Sequence, residues 1–240
     1  MNKIILTLLL TTVFTVSANA QNCVNSSRCD ELGYNKTVAD CDGLDTLVCP
    51  FDENKAFCSS NTAKTKCRVA DILFSDMSCS PVLVTGKTPI AVVFSDFDRL
   101  AVALESKRLA WGENGKEIGA TAQTASGKLN TKAILAYGKA NGIKYSAAEY
   151  CNNYSTEGTK VGDWYWPSKE EWLVLAESFV AVNRKLKGLA SIGKAKYMNA
   201  ARYWTSTEYD SDNAWWVNSV EQRSECSKGE SWEIRPVLAF

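Results

Sequence analysis

The chain contains no histidine, and that absence removes the most frequent general base, the most frequent zinc ligand and the usual partner of a serine or cysteine nucleophile. Catalysis through paired carboxylates, lysines or a bare thiolate stays open. An excess of charge of either sign is also missing, because 27 Lys and Arg balance 27 Asp and Glu. A nucleic-acid surface normally carries a basic excess or stripe, and a peripheral membrane protein a basic amphipathic helix. Neither partner is expected here. Nor is there an apolar run of the roughly 18 to 20 residues that cross a bilayer; the run from Ile4 to Val16 is shorter and threaded with threonines.

What the N-terminus does have is Lys3, that apolar run, and Ala18-Asn19-Ala20 ahead of Gln21. This is the pattern of a secretory signal peptide over 1–20. Cys23 follows Asn22 rather than a cleavage point, which argues against a lipid anchor. The expected mature chain, its formal charge moved from zero to minus one by the loss of Lys3, is exported to the periplasm, cell surface or medium without membrane insertion.

All nine cysteines lie beyond the signal, seven of them before residue 80. Export delivers them to a compartment where disulfides persist. The intervals between the first seven contain no close C-x-x-C pair of the kind zinc sites use, so no metal is expected. Residues 21–80 have little apolar periodicity and much Asn, Ser, Asp and Thr, so crosslinks must substitute for a core. Cys29, Cys41, Cys49, Cys58, Cys67 and Cys79 are the framework, in a connectivity the spacing leaves open. Nine is odd, and Cys23 is the expected leftover. Cys151 and Cys226 stand apart, and a bridge between them is the expectation. The alternative, a reactive thiol, finds no cation beside Cys151 to lower its pKa.

Residues 81–240 change texture. Ile90 to Phe94 and Arg99 to Glu105 flank a polar turn and read as a β-hairpin. Residues 112–128 read as a long surface loop. A helix capped at Asn130 or Thr131 runs to Asn141-Gly142, with a short helical turn from Ser146 to Cys151. A main helix follows Pro167, with Ser168 and Glu171 as a capping box and Trp172, Leu175, Ala176, Phe179 and Val180 as its apolar stripe. Strands are expected at 203–208, 214–220 and 232–240. Strands, two helices and strands in that order describe an α+β domain.

Four motifs follow one another along the chain: Gly162-Asp163-Trp164-Tyr165-Trp166-Pro167-Ser168-Lys169-Glu170-Glu171-Trp172, then Tyr203-Trp204-Thr205-Ser206-Thr207-Glu208, then Ala214-Trp215, then Ile234-Arg235-Pro236-Val237. Together they make about 86–240 resemble the bacterial exported domains of unknown function related to the C-terminal domain of collagen-like adhesins and to the Fibrobacter major paralogous domain. That resemblance implies a C-type-lectin-like fold, with the first and last strands lying together. Formylglycine-generating cousins of this fold use a close pair of active cysteines; Cys151 and Cys226 stand in unmatched contexts, so that activity is not carried over. Similar lectin-fold domains display variable Tyr, Asp, Asn and Ser positions near the C-terminus. By that likeness the ligand surface is Tyr209, Asp210, Ser211, Asp212, Asn213, Trp216, Asn218, Glu221 and Arg223.

The expectation is therefore a non-enzymatic module that binds a glycan or extracellular protein without a cofactor. Aromatic rings would supply contact area at small entropic cost, and short polar groups orientation. Calcium ligation by Glu208, Asp210, Asp212 and Asn213 lacks a full loop signature. Two alternatives remain: an exported carboxylate enzyme using Glu170, Glu171 or Glu208, and a structural surface protein linked through the odd cysteine.

Overall fold

A computed structural model describes residues 29–38, 45–49, 51–59, 67–218 and 223–240. The chain divides into two units, 1–64 and 65–240. The first holds a helical turn at 29–32 and a three-stranded antiparallel sheet of β1 (Lys36–Thr37), β2 (Asp45–Cys49) and β3 (Asp52–Ser59), in the order β1-β3-β2. Cys29 bridges Cys49, whose Cα atoms are 6.0 Å apart. In so small a unit each bridge contributes about 2 to 4 kcal/mol by restricting the unfolded chain. Cys23 and Cys41 lie outside the described residues, as does the side chain of Cys58.

The second unit is mixed α and β. Its first sheet follows the order β5-β4-β6-β7-β14-β9, built from β4 (Ile72–Phe74), β5 (Cys79–Ser80), β6 (Pro89–Ser95), β7 (Leu100–Ala103), β9 (Trp164–Tyr165) and β14 (Val237–Ala239). Residues 67–80, grouped in the sequence with the cysteine-rich segment, belong to this sheet: Ile72 pairs with Val92 and Leu73 with Ala91. The Cys67–Cys79 bridge fastens that added hairpin. Ile72, Leu73 and Phe74 are fully buried, which is why they join a sheet rather than a core-poor appendage. The last strand pairs with β7, Val237 opposite Val102, so the β6 run Ile90 to Phe94 lies one strand further out than expected.

The second sheet follows β12-β11-β10-β13-β8, from β8 (Lys107–Ala110), β10 (Tyr203–Glu208), β11 (Asn213–Val217), β12 (Arg223–Ser227) and β13 (Ser231–Ile234). Pairing of β10 with β13 is parallel and the remainder antiparallel. Residues 232–240, expected as one strand, are two: proline cannot donate to a ladder, and at Arg235-Pro236 the chain leaves this sheet for the other.

Helix α1 (Gly127–Asn141) begins earlier than the sequence suggested. Ser126 caps it by accepting from the Leu129 N–H, and Gly142 ends it in the left-handed region at φ 67°. Asn130 and Thr131 are instead buried; Thr131 Oγ1 donates to Gly127 O at 2.7 Å and accepts from Trp166 N at 3.0 Å. Helix α2 (Ser146–Asn153) follows. The expected main helix is two, α3 (Lys169–Glu177) and α4 (Phe179–Ala190), with the Ser178 hydroxyl donating to Leu175 O at the break. Val180, assigned to the apolar stripe, is 72% exposed, and α4 buries Val182, Leu186 and Leu189 instead.

The core between α1, α2 and the second sheet is aromatic: Trp111, Tyr145, Trp166 and Trp204 are buried with Ile134, Ala148 and Ile234. Buried indole N–H groups need partners. Trp111 donates to Thr205 O at 2.8 Å, Trp166 to Trp204 O at 2.8 Å and Trp204 to Glu230 O at 2.9 Å. Trp166, Trp204, Ala214 and Ile234 place a residue of each of the four motifs in this core.

Candidate functional site

The β10-β11 hairpin turns through residues 209–212, and its tip is built from the inside. Glu208 and Lys228 are both fully buried, with Lys228 Nζ 2.6 Å from Glu208 Oε1. The Glu208 carboxylate also accepts the Ile118 N–H at 3.0 Å and the Gly119 N–H at 2.7 Å. Lys228 Nζ donates further to Lys116 O at 2.7 Å and Ser211 O at 3.0 Å, and lies 4.9 Å from the Trp111 ring centre. One buried pair therefore fastens the hairpin to the 112–119 loop.

The tip's own polar groups are turned to the same task. Asp210 Oδ1 accepts from the N–H groups of Asp212 and Asn213 at 2.8 and 2.7 Å, and from Asn213 Nδ2 at 3.1 Å. The Asn213 amide, with those N–H groups, holds the Asp210 carboxyl below its usual pKa. Asp212 Oδ1 accepts the Gly115 N–H at 2.9 Å, and Ser211 Oγ donates to Asp212 Oδ2 at 2.9 Å. Glu208, Asp210 and Asp212 accordingly spend oxygens on Lys228, on backbone N–H groups and on the Ser211 and Asn213 side chains, and Asn213 donates its amide to Asp210. Among the described residues no group of three or more His, Cys, Asp or Glu has metal-ligand geometry.

Side chains left outside form the candidate surface. Tyr209 is 48% exposed and meets Trp215 edge to face, centroids 5.4 Å apart. Lys169 Nζ lies 4.4 Å over the Trp215 ring and 3.4 Å from Glu170 Oε1. Glu170 Oε2 finds no hydrogen-bond partner among the described residues.

Of the residues expected at the site, the structure brings together Tyr209 to Asn213. Trp216 is opposite Trp204 and packs against the aromatic core, on the face away from Trp215; the Arg202 guanidinium stacks on it at 4.6 Å. Arg223 is exposed and pairs with Val217 on the Trp215 face. Asn218 is half-buried just after β11, and Glu221 lies outside the described residues. Trp215 and Lys169 were missed. Two adjacent tryptophans must point to opposite faces of a strand, but the sequence does not say which points out.

Cys151 and Cys226 are both free thiols, correcting the expected bridge. Cys151 is fully buried in the aromatic core on α2, and burial pushes its pKa well up. Cys226, opposite Ala214 on β12, is half-buried. Glu171, a candidate carboxylate, is the second half of the α3 capping box: it accepts the Ser168 N–H at 2.9 Å and the Tyr165 hydroxyl at 3.2 Å.

No family model matches this chain, and no curated protein does. Its fold is similar to that of a fimbrial protein from Bacteroides ovatus ATCC 8483, with a TM-score of 0.58 and 16% sequence identity. The match covers 72% of this chain and 49% of that one, so the chain spans about half the length of the fimbrial protein. The likeness is one of fold. The disulfides fit an exported protein, and no helix among the described residues is long and apolar enough to cross a membrane.

Proposed function

We propose that the larger unit is a C-type-lectin-like binding module of an exported, adhesion-type surface protein, and that it engages a glycan or extracellular protein through Tyr209, Trp215 and Lys169. The observation that carries this reading is the braced tip. A buried ion pair and further hydrogen bonds to Glu208, Lys228, Asp210 and Asp212 hold a short loop still while its one large ring, Tyr209, stands in solvent beside Trp215. Rigid aromatic anchors with polar neighbours lose little entropy on binding. The pairing of β14 with β7, which brings the C-terminal strand back beside an early one, supports the lectin-like assignment, and the fold's likeness to a fimbrial protein supports the adhesive one.

Binding rather than catalysis is part of the proposal, since Glu171 and Glu208 are occupied by a helix cap and a buried lysine. The test is a glycan and surface-protein array probed with the oxidised chain, wild type against Tyr209→Ala and Trp215→Ala. Asp210 and Asp212 stay unchanged because their loss would unpick the tip. Selective binding by wild type that falls at least about tenfold in Tyr209→Ala is expected. Retained binding in both variants, or none by wild type, would overturn the reading.

A further inference from the structure

Charge that balances over the whole chain is unevenly placed along it. Between Glu177 and Glu208 there is no acidic residue, while Arg184, Lys185, Lys187, Lys194, Lys196 and Arg202 all fall in that interval. Lys185 is buried and the other five are exposed. Ala190, Ala195 and residues of 196–203 from this interval form one wall of a cleft of about 570 Å³, Lys196 being the one of those six cations that lines it, and β8 contributes Lys107 and Arg108 from the other side. Lys107, Arg108, Lys196, Tyr197, Asn199 and Glu233 line it, with the buried Tyr203 also in contact.

The walls are fixed to each other. Lys196 donates its backbone N–H to Leu104 O at 2.8 Å, and its Nζ reaches Glu105 at 3.0 Å and Ser106 O at 3.3 Å. Buried Arg235 donates from Nη2 to both Leu104 O and Lys196 O, and forms no ion pair among the described residues. Arg108 is held by Nε on Ser231 O at 2.9 Å and by stacking on Trp232 at 5.6 Å. Tyr197 is 54% exposed.

We infer that this cleft is a second binding site, separate from the tip, for the carboxylate-bearing sugars of an acidic saccharide. Its volume falls in the class of small-ligand pockets, about 300 to 1,000 Å³. A pyranose ring stacks on an exposed tyrosine, its hydroxyls pair with Asn199 and Glu233, and its carboxylate meets the fork of Arg108, while Lys107, the neighbouring residue of β8, adds positive charge at the mouth. Lys107 also lines an adjoining cleft of about 510 Å³ with Lys144, Tyr150 and Tyr154, so a saccharide of several residues can run from one into the other.

Fluorescein-labelled tetragalacturonate titrated into the full mature chain tests this, against maltotetraose and a short single-stranded DNA. Wild type binds the acidic saccharide, more weakly as salt rises, and at least about tenfold tighter than the neutral one. Lys107→Glu combined with Tyr197→Ala, both exposed positions, weakens binding at least about tenfold. Lys132→Glu, an exposed change of equal charge on α1, leaves it within about twofold, and Tyr209→Ala leaves it unchanged. No binding by wild type, equal affinity for maltotetraose, tighter binding of DNA, or equal loss in Lys132→Glu overturns the inference. Each of those results leaves the reading of the tip standing.

Discussion

Lys228 Nζ sits 2.6 Å from Glu208 Oε1, and neither side chain has any exposed surface. The three ammonium protons have three acceptors, Glu208, Lys116 O and Ser211 O, so the group is fully satisfied. Breaking such a pair from one side leaves a buried charge alone and costs about 3 to 5 kcal/mol. Lys228→Met should lower the unfolding free energy measured by urea melts by that amount. Glu208→Gln with Lys228→Met should cost less than the two single changes summed, and additive losses would mean the pair is not coupled. Hydrogen exchange at Ile118 and Gly119 should speed up in both single variants, because their N–H groups depend on Glu208.

A second buried charge gives a pH signature. Burial on α4 lowers the Lys185 pKa to about 8, with Asp71 opposing the shift. The folded state therefore releases this proton before the unfolded state does, so unfolding free energy rises with pH between about 8 and 10. The rise is at most about 3 kcal/mol. Above that window tyrosines such as Tyr203, pushed up to about 12 by burial, act in the opposite sense. Urea melts of wild type and Lys185→Met across the window check it: the wild-type curve should climb relative to the variant, and parallel curves would refute the assignment.

Much of the fold was legible because its signals were local. The Ser168-Glu171 capping box and the Tyr203 to Glu208 strand fall where the sequence put them. Signals failed where tertiary contact decided the outcome. Asn130 and Thr131 are good cap residues, yet the core claims them, and Ser126 caps α1 instead. Strands β8 and β12 carry Lys-Arg-Leu-Ala and Arg-Ser-Glu-Cys-Ser, edge sequences whose charges hide the pattern. At the site, the tip was visible as a run of turn residues, but not the division of labour within it. Asp210 and Asp212 look like ligand groups until their backbone partners are known, and Lys228 looks like a surface lysine until its burial is seen. The meeting of Lys107, Arg108 and Lys196 around the cleft was masked by a net charge of zero.

Two glycines should lose stability to alanine by different amounts and for different reasons. A Cβ on Gly127 would meet Trp166 O at 2.3 Å and the Ser168 backbone N at 2.6 Å, neither of which can move without displacing the α3 cap. Gly127→Ala should cost more than about 3 kcal/mol, despite the roughly 1 kcal/mol gain in helix propensity. Gly142 has φ 67° with nothing within 4 Å of its Cβ position, so Gly142→Ala should cost only about 1 to 2 kcal/mol of left-handed backbone strain. Thermal melts of the two variants separate close approach from strain, and a Gly127→Ala protein as stable as Gly142→Ala would contradict the packing described for Trp166.

The two thiols of the larger unit should be distinguishable by rate. Alkylation requires the thiolate and access to it. Cys151 is wholly buried, with its pKa raised far above the usual thiol value, whereas Cys226 is part exposed on β12. Iodoacetamide under native conditions should label Cys226 and leave Cys151 untouched until denaturant is added. Peptide mapping of the unreduced protein should recover the peptides carrying these two residues separately, and the Cys29–Cys49 and Cys67–Cys79 peptides joined. A crosslinked Cys151–Cys226 peptide would reinstate the bridge expected from the sequence. It would also require α2 and β12 to stand closer than the free thiols imply, so the same map tests the packing of the aromatic core as well as the chemistry of its cysteines.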